Sequence, residues 1–185
     1  GEGRLREALT REEITRLLDT CSGNRKLRCA VTLALISGAR KEEIWGLKRN
    51  QVDFKHKVVR LDKTKNSVKR SIHLVGESFG LLHQLSVDDQ WKQSKLNGSG
   101  SEYVFPARIK DTSYNMRVLF QKALKKTGIT EFTCHDFRHS VAVYRVTSAV
   151  PENMIMKIIG WKTRSMITKY THYSAEQVKE FQLKA

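Results

Sequence analysis

Residues 133–173 read TCHDFRHSVAVYRVTSAVPENMIMKIIGWKTRSMITKYTHY, and the reading of the whole chain turns on them. His135, Arg138 and His139 fall within one short run. On a helix His135 shares a face with Arg138, three residues on, and with His139, four residues on. Val141, Val143, Tyr144 and Val146 supply the apolar surface of a helix over 135–147. Pro151 opens another at an N1 position, where its missing N–H costs nothing. Met154, Ile155, Ile158 and Ile159 carry that helix to Gly160. Trp161 follows, then a basic run through Lys162, Arg164 and Lys169, then Tyr170 and Tyr173 in a short helix or turn over 163–173. Imidazole, guanidinium, indole N–H and phenol can together hold a phosphate and attack it.

The rest of the chain supports such a partner. Among 185 residues, 34 Lys and Arg stand against 19 Asp and Glu, a formal net charge of +15. That excess points to a polyanion, nucleic acid first. A membrane surface is second, but there is no apolar run of transmembrane length and no signal peptide. The bland alternative is a solvated basic surface. Cys21, Cys29 and Cys134 are an odd number without CxxC spacing, which argues against a disulfide framework or zinc knuckle and fits a reducing, cytoplasmic compartment. His135 and His139 could be read as an HxxxH metal pair. The zinc-protease version needs glutamate after the first histidine, and Asp136 is one methylene shorter, so no metal is expected.

Working outward, Thr10 and Glu13 have capping-box spacing, and Ile14, Leu17 and Leu18 continue a helix. Residues 27–37 form a second helix, apolar nearly all round and therefore buried. Gly38 breaks it, and Arg40 opens a third helix with Ile44 and Leu47 inward. Residues 52–54, 57–61 and 71–74 read as short strands. Between the last two lies a lysine-rich turn over 62–70, containing Lys63 and Lys65, whose plain reading is edge protection or loop solvation. Residues 77–95 are expected to be helical, 96–101 a flexible loop, 103–105 a short extended piece, and 112–127 an amphipathic helix capped by Gly128. Ser174 and Gln177 repeat the capping-box spacing ahead of a weakly amphipathic tail carrying Val178 and Phe181. The expected class is α+β, mainly α-helical with a small antiparallel three-stranded sheet.

In this order, Ser37-Gly-Ala-Arg40-Lys-Glu-Glu43, Lys65 in the hairpin, His135-Asp-Phe-Arg138-His139, Ile159-Gly-Trp161 and Tyr170 resemble the catalytic domain of the tyrosine recombinases, the phage integrase family. The resemblance covers about residues 9–174, and the ordered set is far more specific than HxxRH alone. It implies the DNA breaking-rejoining catalytic fold and site-specific recombination of a phage or mobile element without metal or other cofactor. Tyr170 would attack a phosphodiester to give a 3′-phosphotyrosine and a free 5′-hydroxyl. Arg40 and Arg138 would clamp the phosphate, His135 would position it and move a proton, and Lys65 would protonate the leaving oxygen. Glu43 and His139 would support them. Lys63, Lys162, Arg164 and Lys169 would contact the DNA backbone.

The residues alone do not separate Lys65 from Lys63, or Tyr170 from Tyr173. The family spacing selects Lys65 and Tyr170. Two departures stand out. Trp161 replaces the more usual histidine; its N–H can donate to a phosphate oxygen but cannot serve as acid or base. Nothing before Leu9 reads as the helical DNA-clamping domain that such proteins usually carry. Residues 1–8 are therefore expected to be a linker or remnant, 9–185 a single catalytic domain, and about 175–185 a tail docking in trans or in cis. Implied partners are duplex recombination sites, a homo-tetramer on DNA and accessory DNA-bending proteins. A type IB topoisomerase and a non-catalytic DNA-binding module are the competing readings.

Overall fold

The computed structural model describes residues 8–65, 67–88, 102–106 and 116–173. The chain enters through α1 (Arg11–Thr20), whose capping box is formed: Thr10 Oγ1 accepts from Glu13 N, and Glu13 Oε1 accepts from Thr10 N. Asn24 caps α2 (Arg25–Ser37) by accepting from Leu27 N at 3.0 Å. Leu27, Cys29, Ala30, Val31, Leu33 and Ala34 of α2 are all buried, as an all-round apolar helix requires. It packs against α4 (Ser78–Val87) and α6 (Cys134–Thr147) and forms the centre of the larger core.

Helix α3 (Lys41–Trp45) is shorter than its sequence suggests and ends at Gly46, while Ile44 and Leu47 still point inward. The sheet is an antiparallel meander of β1 (Val52–Asp53), β2 (Val58–Leu61) and β3 (Arg70–His73) in the order β1-β2-β3. In β2 the residues Val58, Val59 and Leu61 are buried and Arg60 is exposed; in β3, Arg70 and Ile72 are buried while Ser71 and His73 face out. Arg70 thus leaves the solvated turn to which the sequence assigned it and becomes the first residue of a strand. Tyr103 bridges Lys48, and Val104 and Phe105 beside it are fully buried.

Helix α5 (Arg117–Thr127) packs on α1 and ends at Gly128 in the left-handed conformation. Helix α7 (Glu152–Ile159) packs on α6 and on β3, and α8 (Ser165–Thr168) follows. Pro151 is the N-cap of α7, one residue earlier than its expected N1 place: its ψ of 140° is extended, not helical. A second, smaller core joins Val141, Ala142, Val143 and Val146 of α6 to Ile155, Ile159, Trp161, Ile167 and Tyr170. The described part of α4 ends at Val87; the expected helix beyond Asp88, the loop over 96–101, the start of the 112–127 helix and the tail after Tyr173 lie outside the described residues. Among the described residues no helix is long and apolar enough to cross a membrane. The α+β class, mainly helical with a three-stranded antiparallel sheet, is the observed one.

Candidate active site

The site is assembled where α2, α3 and α6 converge. At the end of α2, Gly38 has φ +63°, a conformation costly for other residues, and a Cβ there would sit 3.4 Å from the Val141 side chain. Ser37 Oγ accepts from Ala39 N at 3.0 Å and so fixes the turn. Arg40 follows at the N-cap of α3, its N–H donating to Glu43 Oε2 at 2.8 Å. The Gly38 carbonyl accepts from Arg138 Nη1 at 3.0 Å. Arg40 and Arg138, far apart in sequence, are thereby tied to one turn.

Helix α6 is aimed by its own first turn. Asp136 Oδ2 accepts from Thr133 N at 2.6 Å and from Thr133 Oγ1 at 2.7 Å. The carboxylate considered for a metal motif is committed to this cap. His135 then reaches the surface while Arg138 and His139 are buried. A cavity of about 480 Å³ opens between α3, α5 and α6, lined by Arg40, His135 and Arg138 beside Trp45, Phe120 and Phe132.

Arg138 is only 3% exposed, and its guanidinium lies 5.8 Å from the Trp161 ring centroid. Trp161 stacks on Tyr170 at 5.5 Å, and Tyr170 stacks in turn near Tyr173 at 6.5 Å. The Tyr170 hydroxyl lies 3.4 Å from His139 Nδ1. Buried Arg138 Nη2 and Arg40 Nε find no hydrogen-bond partner among the described residues. Unpaired buried N–H groups are expensive and recur where a ligand completes them.

The electrostatics are dominated by burial. It pushes Arg138 down to about 10, with Arg40 and Arg70 adding to the effect, and leaves the guanidinium charged at neutral pH. Burial raises the Tyr170 phenol above its ordinary value, and Arg138 pulls the other way without prevailing. A neighbouring guanidinium favours the phenolate, but here desolvation outweighs it. His135 is held below its usual value by burial first, then by Arg138 and Arg40. His139 is held down by burial as well.

The two histidines make stability fall toward acid pH. Above about pH 6.5, the ordinary histidine value, both are neutral folded or unfolded and contribute no slope. Below it the unfolded chain takes up protons that the folded chain refuses, so stability declines until the depressed folded values are passed. His139→Gln removes one of the two groups. Its melting temperature is expected to fall less steeply than that of the parent from about pH 7 to 5. Parallel curves would show that His139 does not carry this load.

The remaining expected residues sit around this centre. Lys65 and Lys63 are both exposed on the hairpin between β2 and β3. Thr64 bridges Ser67, so Lys65 lies in the turn and the strand alternation that would put it on one face with Lys63 stops short of it. Lys162 Nζ donates to the carbonyl of Lys65 at 2.5 Å, which ties this turn to the segment after Trp161. Neither Lys65 nor Tyr170 lines the cavity. Lys169 is exposed, and Arg164 is exposed in a pair with Glu152 at 2.7 Å. Glu43 accepts from Arg40 N, from Ser67 Oγ at 2.9 Å and from both Nη atoms of Arg70 at 2.9 Å. Burial would raise its pKa, but the Arg70 and Arg40 hydrogen bonds outweigh that and lower it. Arg70 is the residue that sequence reasoning missed. Counting back two from inward-facing Ile72 would have found it.

The phage integrase family matches residues 7–177. The integrase of Salmonella phage P22 is 26% identical over 178 residues, 91% of this chain and 44% of that protein. Tyrosine recombinase XerA of Thermococcus kodakarensis is 28% identical over 187 residues, 98% of this chain and 63% of its own length. The crystal structure of XerA recombinase superposes with a TM-score of 0.80 at 19% identity, covering 100% of this chain and 65% of that one. The chain thus spans well under two thirds of one relative and just under two thirds of the other. The family match takes in every element from α1 to α8, the arginine turn and the Trp161–Tyr170 stack alike, and this chain belongs to the phage integrase family.

Proposed function

We propose that this chain is the catalytic part of a site-specific DNA recombinase that breaks and rejoins strands through a covalent link to Tyr170. The observation that carries the reading is the pair of buried, unpartnered guanidinium N–H groups on Arg40 and Arg138, with the Trp161–Tyr170 stack against Arg138. Planar guanidiniums suit the two non-bridging oxygens of a phosphodiester. In water-poor surroundings they stabilise charge that develops on those oxygens during attack.

The Tyr170 oxygen forms a bond to phosphorus, and the bond to the 5′-oxygen breaks. The phenol is protonated at neutral pH, so its proton must leave as the bond forms. His139 is within reach of it at 3.4 Å. His135, neutral and on the cavity wall, orients the phosphate and exchanges a proton with it. The 5′-oxygen leaves poorly unless protonated, and Lys65 on the hairpin turn is the donor. Rejoining reverses the steps with a second 5′-hydroxyl and needs no outside energy, because the phosphoester is kept. Trp161 contributes ring packing beneath Arg138 and Tyr170. Lys63, Lys162, Arg164 and Lys169 add backbone contacts. Two duplex sites brought together by four copies of the enzyme fit this chemistry, with bending proteins as accessory factors and the nucleoid-bearing cytoplasm as the place of action. The domain proposed is residues 9–185, with the segment from about 175 as its assembly tail.

A nicked duplex carrying the native site traps the adduct, because the short strand beyond the nick diffuses away. The expected result is a protein–DNA band that survives denaturing electrophoresis. Relaxation of supercoiled DNA without exchange between two sites would point to a topoisomerase, and a mobility shift with no covalent band to a binding module. Affinity is expected to fall steeply with salt. With six or more phosphates neutralised, the loss between about 50 and 200 mM is about a thousandfold or greater. A flat response would contradict the role assigned to the +15 charge.

A further inference from the structure

The structure contains a buried ion pair, Arg70–Glu43, that touches the Arg40 turn, the hairpin turn that carries Lys65 and the Gly160 turn. Arg70 is 8% exposed, on the inward face of β3. Its two Nη atoms donate to the two oxygens of Glu43, each at 2.9 Å. The same carboxylate accepts from the backbone N–H of Arg40 and from Ser67 Oγ, in the hairpin turn next to Lys65. One carboxylate therefore gathers the Arg40 turn, the Lys65 turn and β3.

The other side of Arg70 faces Gly160. A Cβ on Gly160 would come within 2.8 Å of Arg70 Cδ, Nε and Cζ, and Gly160 has φ +81°. The backbone of Gly160 therefore lies directly against the guanidinium, and its carbonyl accepts from Val68 N at 3.3 Å. The next residue is Trp161, on which Tyr170 stacks. Arg70 thus has the Arg40 turn and the hairpin on one side and the turn leading to the nucleophile on the other. Both its Nη atoms are committed to Glu43, and its Nε, unpartnered among the described residues, lies against Gly160, so Arg70 offers no two-pronged fork to a phosphate.

We propose that Arg70, through its bidentate pair with Glu43, is a positioning residue that sets the Lys65 turn and the Trp161 turn against Arg40. This rests on the reading of the site given above. A buried ion pair contributes little net stability compared with well-packed apolar groups, while its fork geometry fixes direction. Lysine keeps the charge of Arg70 but has neither the planar fork nor the flat face that Gly160 requires. A displacement of about 1 Å at the reacting groups is enough to cost about a hundredfold in rate.

The test is cleavage of two nicked duplexes, one normal and one with sulfur in place of the 5′-bridging oxygen. A thiolate leaves without a proton, so the sulfur substrate bypasses Lys65 while still needing Tyr170 and the arginine clamp. Arg70→Lys is expected to bind DNA as the parent does and to cleave normal DNA about ten- to a hundredfold more slowly. On the sulfur substrate it should recover the share of that loss due to the Lys65 turn and keep the share due to the Trp161 turn. Ser67→Ala, which breaks the tie from Glu43 to the hairpin together with the Thr64 Oγ1 contact inside the turn, should lose less rate, regain nearly all of it on the sulfur substrate, and remains informative should Arg70→Lys fail to fold. Equal losses on both substrates for both variants, tracking the folded fraction measured by thermal melting, would make the pair a fold element and overturn the proposal. A parent chain that forms no adduct on either substrate would instead overturn the reading of the site, and this proposal with it.

Discussion

Tyr170→Phe is expected to bind site DNA with unchanged affinity and to form no covalent adduct at all. The substitution deletes one oxygen. The ring remains stacked on Trp161 and packed within the second core, next to Ile167. What is lost to folding is a contact to His139 of 3.4 Å, at the long end for a hydrogen bond and worth about 1 kcal/mol or less. The melting temperature should therefore hardly move while cleavage vanishes. Tyr173, three residues on, is half-buried at the outer end of the same stack. Tyr173→Phe should keep most adduct formation. An adduct in Tyr170→Phe, absent in Tyr173→Phe, would move the nucleophile by one helical turn.

Arg138→Lys is expected to lower the cleavage rate by about a hundred- to a thousandfold, the usual cost of losing one donor to a developing oxyanion. Lysine cannot bond the Gly38 carbonyl and offer a second N–H in the same plane, as Arg138 is placed to do with Nη1 and Nη2. It also lacks the flat face that lies over Trp161. Binding should weaken far less than cleavage, because the cations proposed to contact the DNA backbone are unchanged. Single-turnover cleavage on the nicked duplex measures the rate and a mobility shift measures binding. Losses of equal size in both would make Arg138 a binding residue. A rate within tenfold of the parent would remove it from the clamp.

Several elements were legible because local chemistry specifies them. The Thr10 box, the all-round apolar α2, the Gly38 and Gly128 stops and the inward Ile44 and Leu47 follow from capping, period and backbone freedom, which neighbouring residues decide. The placement of His135, Arg138 and His139 on one helix followed from their spacing and from the Thr133–Asp136 turn that starts it. The end of α3 and the place of Pro151 were each misplaced slightly, because helix ends depend on a contest between cap and turn geometry that a hydrophobic pattern does not register.

Arg70 marks where sequence reading stopped. In a lysine-rich stretch it reads as one more solvated cation; only strand register turns it inward, and only the fold brings Glu43 and Gly160 to either side of it. The state of Tyr170 was likewise decided by burial in the second core, which outweighs a neighbouring guanidinium and keeps the phenol protonated. By itself, then, the sequence determined the residue types, their order and the local elements that carry them, because those depend on neighbours along the chain. The tertiary structure alone decided which charges are paired, which guanidinium N–H groups are left unpartnered among the described residues and how far each group is desolvated. Those depend on contacts such as Gly38 with Arg138 and Glu43 with Arg70, whose partners no local pattern links.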